Sequence, residues 1–186
     1  REVYTVVLAA QRAAIKAASP TLTNRQLHLL AARTITAGLK EIGLMRGGVD
    51  EAVEAGAHAL FFPHGLGHMM GLDVHDMEDL GDAVGYRPGD SRSEQFGLNA
   101  LRLARRLEPG FVITVEPGVY FIPALIDRWQ AEGRHTDFIA YDRVAGFRDL
   151  GGIRIEDDVL ITEDGCRVLG PSIPKDPAEL EEALGG

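Results

Sequence analysis

From Tyr4 the apolar positions Val7, Leu8, Ala14, Ile15 and Ala18 recur at the three-and-four spacing of an amphipathic helix, which Ser19-Pro20 ends. A second helix is better marked. Thr23 and Gln26 stand at the spacing of a capping box, and Leu27, Leu30, Ala31, Ile35, Leu39 and Ile42 form one apolar stripe that stops at Gly43. Arg46-Gly47-Gly48 reads as a turn and Val49 to about Gly56 as a short helix. The apolar run Ala59-Leu60-Phe61-Phe62 reads as a buried strand that delivers the chain to Pro63-His64. Asp76 to Phe96 has little periodicity and much Gly, Asp, Glu and Arg, which predicts a long surface loop forming part of a cleft wall. Asn99 to Leu107 is a short turn or helix, and Glu108-Pro109-Gly110 turns into a strand from Phe111 to Glu116, resumed at Tyr120 and Phe121. Pro123 to Glu132 is a helix with proline in its first turn, followed by an irregular stretch to Arg148. Gly151 to Glu156 and Asp158 to Thr162 are strands. Glu163-Asp164-Gly165 is a hairpin turn, Cys166 to Leu169 returns, and Asp176 to Leu184 is a polar helix. Helices first and strands later predict an α+β fold, an antiparallel sheet covered by helices.

With 186 residues, 45% of them apolar, the chain suits one domain or a large piece of one, with a real core. A net charge of -9 without a basic cluster excludes nucleic acid or an anionic membrane as the main partner. No apolar run approaches the roughly 20 residues that span a bilayer, so a soluble, cytoplasmic protein is expected. Cys166 is the only cysteine and cannot form an intramolecular disulfide; a small buried hydrophobe is its expected role. The first residue is Arg1 rather than Met, as in a segment of something longer.

The chemistry concentrates in His64-Gly65-Leu66-Gly67-His68-Met69-Met70-Gly71-Leu72-Asp73-Val74-His75-Asp76, with three imidazoles and two carboxylates among glycines. A helix interior does not carry three glycines, each costing up to about 1 kcal/mol relative to Ala, so extended or turning backbone is expected. Glu116 ends one strand-like apolar run and Glu156 another, where an uncompensated charge is costly to bury. Imidazole and carboxylate oxygens without thiolates suit a catalytic divalent cation such as Mn, Co or Zn. The alternative is that the histidines are satisfied polar groups in a glycine-rich turn and Glu116 a solvent-facing strand end. Arg154 and Glu156 share a face by strand alternation, which allows the arginine to orient the carboxylate or to bind a substrate anion.

The string His64 to Asp76, the run Val112 to Tyr120 and the run Gly152 to Asp158 resemble, in order, motifs of the creatinase/aminopeptidase P/prolidase family of pita-bread metallopeptidases. The resemblance covers essentially the whole chain. It implies the C-terminal portion of a pita-bread catalytic domain, with the family's N-terminal domain and a segment bearing two aspartate ligands absent from residues 1–186. It implies two divalent metal ions, manganese first and cobalt or zinc as alternatives, held by His68, Glu116 and Glu156, the last bridging both. Glu116 and His75 are then the catalytic residues, Glu116 as proton shuttle and His75 at the scissile carbonyl. His64, His75, Arg102 and Arg154 line the substrate pocket, with Arg102 gripping the free carboxylate of a dipeptide. Arg105 and Arg106 are close by in sequence, and the alternative for these three arginines in five positions is a solvated helix face. The implied activity is hydrolysis of Xaa-Pro bonds as an Xaa-Pro dipeptidase, the implied partner a peptide with proline at its second position, and the implied assembly a homodimer at full length. An Xaa-Pro aminopeptidase and a non-catalytic family relative are the alternatives.

Overall fold

A computed structural model describes residues 1–185. Two long helices form one layer: α1 (Glu2–Ala17) and α2 (Asn24–Glu41) pack against each other through Val7, Ala10 and Ala14 on one side and Leu27, Ala31, Ile35 and Leu39 on the other, all fully buried. The capping box is formed as the Thr23/Gln26 spacing predicts. The Gln26 backbone N–H donates to the Thr23 hydroxyl at 3.1 Å, and the Gln26 side-chain oxygen accepts from the Thr23 N–H at 2.8 Å. α3 (Val49–Glu54) follows, shorter than expected at its C-terminal end.

The run from Ala59 to Phe62 is buried as expected but is not a strand. Ala57–Leu60 is a 3-10 turn entered through Gly56 at φ +84°, and the N–H groups of Phe61 and Phe62 both donate to the His58 carbonyl. A four-residue apolar run reports burial without reporting dihedral angles, and here the preceding glycine decides. The stretch 76–96 is largely the expected surface loop, interrupted by a 3-10 turn (Glu78–Leu80) and α4 (Asp82–Gly85). Of 99–107 only a 3-10 turn at Leu98–Ala100 is helical. α5 (Pro123–Ala131) has its proline in the first turn, and 133–148 is less irregular than expected, holding α6 (Tyr141–Val144) and the start of a 3-10 helix (Ala145–Leu150).

Five short strands carry the chemistry: β1 (Val112–Val115), β2 (Gly118–Tyr120), β3 (Gly152–Arg154), β4 (Asp157–Ile161) and β5 (Cys166–Val168). They pair antiparallel as β1-β4-β5 and β2-β3. Val115 pairs with Asp157 and Gly118 with Arg154, so the pairing offset is unchanged across the interruption between the two sheets. Glu116 therefore stands across from Glu156, and Pro117 across from Ile155. Pro117 has no N–H to give the ladder, although its carbonyl still accepts from Ile155 at 3.3 Å. The break in the strands thus falls at Glu156 and not after it, as the sequence pattern had placed it.

On its other edge β1 is paired by the histidine segment. Glu116 N–H donates to the Leu66 carbonyl at 2.8 Å, Thr114 N–H to His68 at 3.0 Å, and Met70 N–H to Val112 at 3.0 Å. After a bend at Leu66 the segment runs beside β1, bridging at Met69 opposite Ile113, and Gly67 lies where it passes the strand most closely. A Cβ there would collide with the Thr114 carbonyl. One face of the sheet buries Ile113, Val115, Val159 and Ile161 in the core shared with α1 and α2. Cys166 is half-buried against that core, its thiol donating to the Ile15 carbonyl, and burial pushes its pKa up. α7 (Pro177–Ala183) closes the described chain and buries no residue. No helix among the described residues is long and apolar enough to cross a membrane.

Candidate metal centre

Three lanes of the sheet bring His68, Glu116 and Glu156 together, with one donor atom from each lying within 4.8 Å of the others. His68 is buried. Its Nδ1 lies 2.9 Å from the Met69 carbonyl, an acceptor only, so Nδ1 carries a hydrogen; in the neutral ring the lone pair is then on Nε2, 3.4 Å from Glu116 Oε1. Thr114, fully buried, links the two: its hydroxyl accepts from the His68 N–H at 3.0 Å and donates to Glu116 Oε1 at 3.2 Å. Arg154 addresses both carboxylates, with NH1 3.1 Å from Glu116 Oε2 and Nε 3.5 Å from Glu156 Oε2.

Burial raises the pKa of Glu116 above the usual carboxylate range; the facing charge of Glu156 adds to this, and Arg154 and His68 oppose it. A buried carboxylate facing a second one, with one guanidinium between them and an imidazole lone pair aimed at the same space, is a donor set that a divalent cation complements. The residues present fit such an ion.

The remaining sequence candidates surround this cluster. A cleft of about 280 Å³ is lined by His64, His68, His75, Arg102, Glu116 and Arg154. His64 holds its Nδ1 2.7 Å from the Gly65 carbonyl, while its Nε2 is buried without a partner among the described residues. Burial lowers its pKa, so the ring is neutral at pH 7. Its ring meets Phe62 and Tyr120 edge-on, at centroid distances of 5.0 and 5.2 Å. His75 is exposed and edge-on to His68 at 4.3 Å, with its Nδ1 3.1 Å from Arg102 NH1.

Arg102 also pairs with Glu78. Of the three neighbouring arginines it alone reaches the cleft: Arg105 pairs with Glu108 at 2.7 Å, and Arg106 donates to the carbonyls of Pro20 and Thr21. Its position depends on Gly85, whose carbonyl accepts from the N–H groups of Ala104 and Arg105 and where a Cβ would collide with the Arg102 carbonyl.

Three contributors carry no chemical motif of their own. Thr114 precedes Glu116 by two and shares its face, a signal present in strand alternation; Tyr120 and Glu78 reach the site only through the fold. Asp157 faces away from the cluster and Asp76 folds the histidine segment back, its N–H donating to the Met69 carbonyl at 3.2 Å.

The sequence profile of metallopeptidase family M24 matches residues 1–163. Human Xaa-Pro dipeptidase is 40% identical over 186 residues, which are all of this chain and 36% of that protein. A probable Xaa-Pro aminopeptidase of Sordaria macrospora is 39% identical over 184 residues, 99% of this chain and 38% of that one. Aminopeptidase P from E. coli, solved with the inhibitor Pro-Leu, superposes with a TM-score of 0.71 at 34% identity, over 100% of this chain and 34% of the other. The chain thus spans little more than a third of the length of these relatives. On the profile match and these identities, it belongs to metallopeptidase family M24, the creatinase/aminopeptidase P/prolidase family, and its helix-covered antiparallel sheet is part of that family's pita-bread fold.

Proposed function

We propose that residues 1–186 form the C-terminal portion of the catalytic domain of a metal-dependent Xaa-Pro dipeptidase, with His68, Glu116 and Glu156 as metal ligands. The observation that carries this reading is the convergence of those three donors, two of which, His68 and Glu116, line a cleft together with His64, His75, Arg102 and Arg154. Two divalent ions, manganese by preference, complete the centre with donors from elsewhere in the protein, which works in the cytoplasm as a homodimer on peptides with proline second. Such ions, when bound, lower the pKa of water and polarise a carbonyl.

The chain's own residues supply the rest. Glu116, as a carboxylate, takes the proton released by the attacking water and passes it to the prolyl nitrogen as the bond breaks. His75, at the cleft's exposed edge, donates to the scissile carbonyl oxygen. Arg154 fixes the orientation of both carboxylates. An Xaa-Pro bond is a tertiary amide with no N–H to recognise, so the proline ring is selected by shape, against the neutral, apolar edge of His64. Arg102 takes the substrate carboxylate by exchanging it for Glu78.

That exchange favours a second reading. Because Glu78 already neutralises Arg102, an Xaa-Pro aminopeptidase, which does not require a free carboxylate beside proline, is the alternative. In the full-length protein, Glu156→Gln is expected to lower Mn²⁺ affinity and Xaa-Pro turnover by more than about 10-fold. Unchanged calorimetric Mn²⁺ binding in that variant would remove the metal reading. Arg102→Ala is expected to raise KM for a Xaa-Pro dipeptide far more than for a Xaa-Pro-Xaa tripeptide. Equal effects on the two substrates would decide for the aminopeptidase.

A further inference from the structure

Asp157 follows Glu156 but turns to the opposite face of β4. There its carboxylate is largely buried, 9% exposed, accepting from the amide of Gln11 on α1 and, at 2.7 Å, from the ammonium of Lys175. Gln11 is itself buried in the middle of α1. Lys175 comes from the segment before α7, and that segment is tied to α1 by other contacts. The Tyr4 hydroxyl donates to the Lys175 carbonyl at 2.6 Å, Arg12 pairs with Asp176 at 2.7 Å, and Arg1 pairs with Glu181.

A buried carboxylate at this place needs its partner, because an unpaired charge there is strongly unfavourable. Successive strand residues point to opposite faces, so whatever anchors Asp157 on the helix side sets where Glu156 points on the cleft side. Among the described residues, the side chain of Glu156 is paired with Arg154 and with no other cation.

We infer that Lys175, acting through Asp157, is a positioning residue for the candidate metal centre, although its own side chain lies behind the sheet. The inference rests on the reading of His68, Glu116 and Glu156 as metal ligands and extends the centre's support to residues 175–176. Loss of the ammonium lets the start of β4 shift relative to α1 and loosens Glu156 against Glu116. The fold itself is held by the α1–α2 and β1–β4 packing.

The test is Mn²⁺ binding to full-length Lys175→Met, Lys175→Arg and the charge-free pair Lys175→Met/Asp157→Asn, by calorimetry and by the electron paramagnetic resonance line shape of bound Mn²⁺, with thermal unfolding of the metal-free protein measured in parallel. The pair guards against a single variant that does not fold because Asp157 is left alone. We expect Mn²⁺ affinity about 10-fold weaker and an altered line shape in Lys175→Met and in the pair, with recovery in Lys175→Arg. If the pair folds and binds Mn²⁺ with parental affinity and line shape, the inference is overturned and the Lys175–Asp157 contact serves stability only. Glu156→Gln separates the two readings: were it also to bind Mn²⁺ normally, the ligand assignment itself would fail, whereas its loss of binding beside a normal pair would sink only the role of Lys175.

Discussion

His68 presents its Nε2 lone pair to the carboxylates because the Met69 carbonyl takes the Nδ1 hydrogen and the Thr114 hydroxyl holds the His68 backbone. Thr114→Val keeps the shape and removes the hydroxyl that joins His68 to Glu116. We expect it to weaken Mn²⁺ binding by about 10-fold with the fold intact, read by calorimetry beside circular dichroism. Gly67→Ala is more severe. The added Cβ meets the Thr114 carbonyl, so the histidine lane must move off β1, and a loss of about 1–3 kcal/mol in denaturant unfolding is expected together with weakened metal binding. At this scale the sequence was informative where residue type alone signals chemistry. His68, Glu116 and Glu156 are unusual in glycine-rich or apolar surroundings. Thr114, Tyr120 and Glu78 are ordinary residues whose contacts exist only once register and loop path are set.

At the scale of elements, the helices α1 and α2 were legible because a long period and a capping signal agree. Thr23→Ala removes one half of the capping box and is expected to lower stability by about 1 kcal/mol, measured by urea unfolding, while leaving Mn²⁺ affinity unchanged. The run 59–62 reads as a strand but is not one, because four apolar residues are too few to show a period and the glycine before them selects a 3-10 turn. The strands were found from their apolar runs, but their pairing was not. That Glu116 meets Glu156 follows from a hairpin-like return over many residues, and no local pattern encodes which residue faces which. The unchanged offset on either side of Pro117 is what turns two isolated strand-end glutamates into a pair.

Across the whole molecule, burial creates an acid sensitivity at histidines that do not line the cleft. Burial, with smaller contributions from His58, His64 and Arg25, lowers the pKa of His28 to about 3; burial and His135 lower that of His58 to about 4. Both folded values lie below the unfolded value of about 6.5, so the unfolded chain binds these protons first. Their contribution to stability is therefore full above pH 6.5 and is lost as the pH falls from there toward 4 and then 3, at about 1.4 kcal/mol per histidine per pH unit. Full-length His28→Leu is expected to lose about 2 kcal/mol less than the parent between pH 7 and pH 5, as read from urea midpoints. Composition revealed a globular acidic chain, whereas the joining of residues 1–17 to residues 175–181 through Arg1, Tyr4 and Arg12 could not be read from it. The same long-range assembly brings His68, Glu116 and Glu156, the proposed metal ligands, together from three separate stretches. A crystal structure of the full-length protein grown with Mn²⁺, with anomalous scattering recorded, tests that centre most directly. The prediction is an anomalous peak about 2.0–2.3 Å from His68 Nε2 and from carboxylate oxygens of Glu116 and Glu156. A peak that none of these three residues coordinates would contradict it.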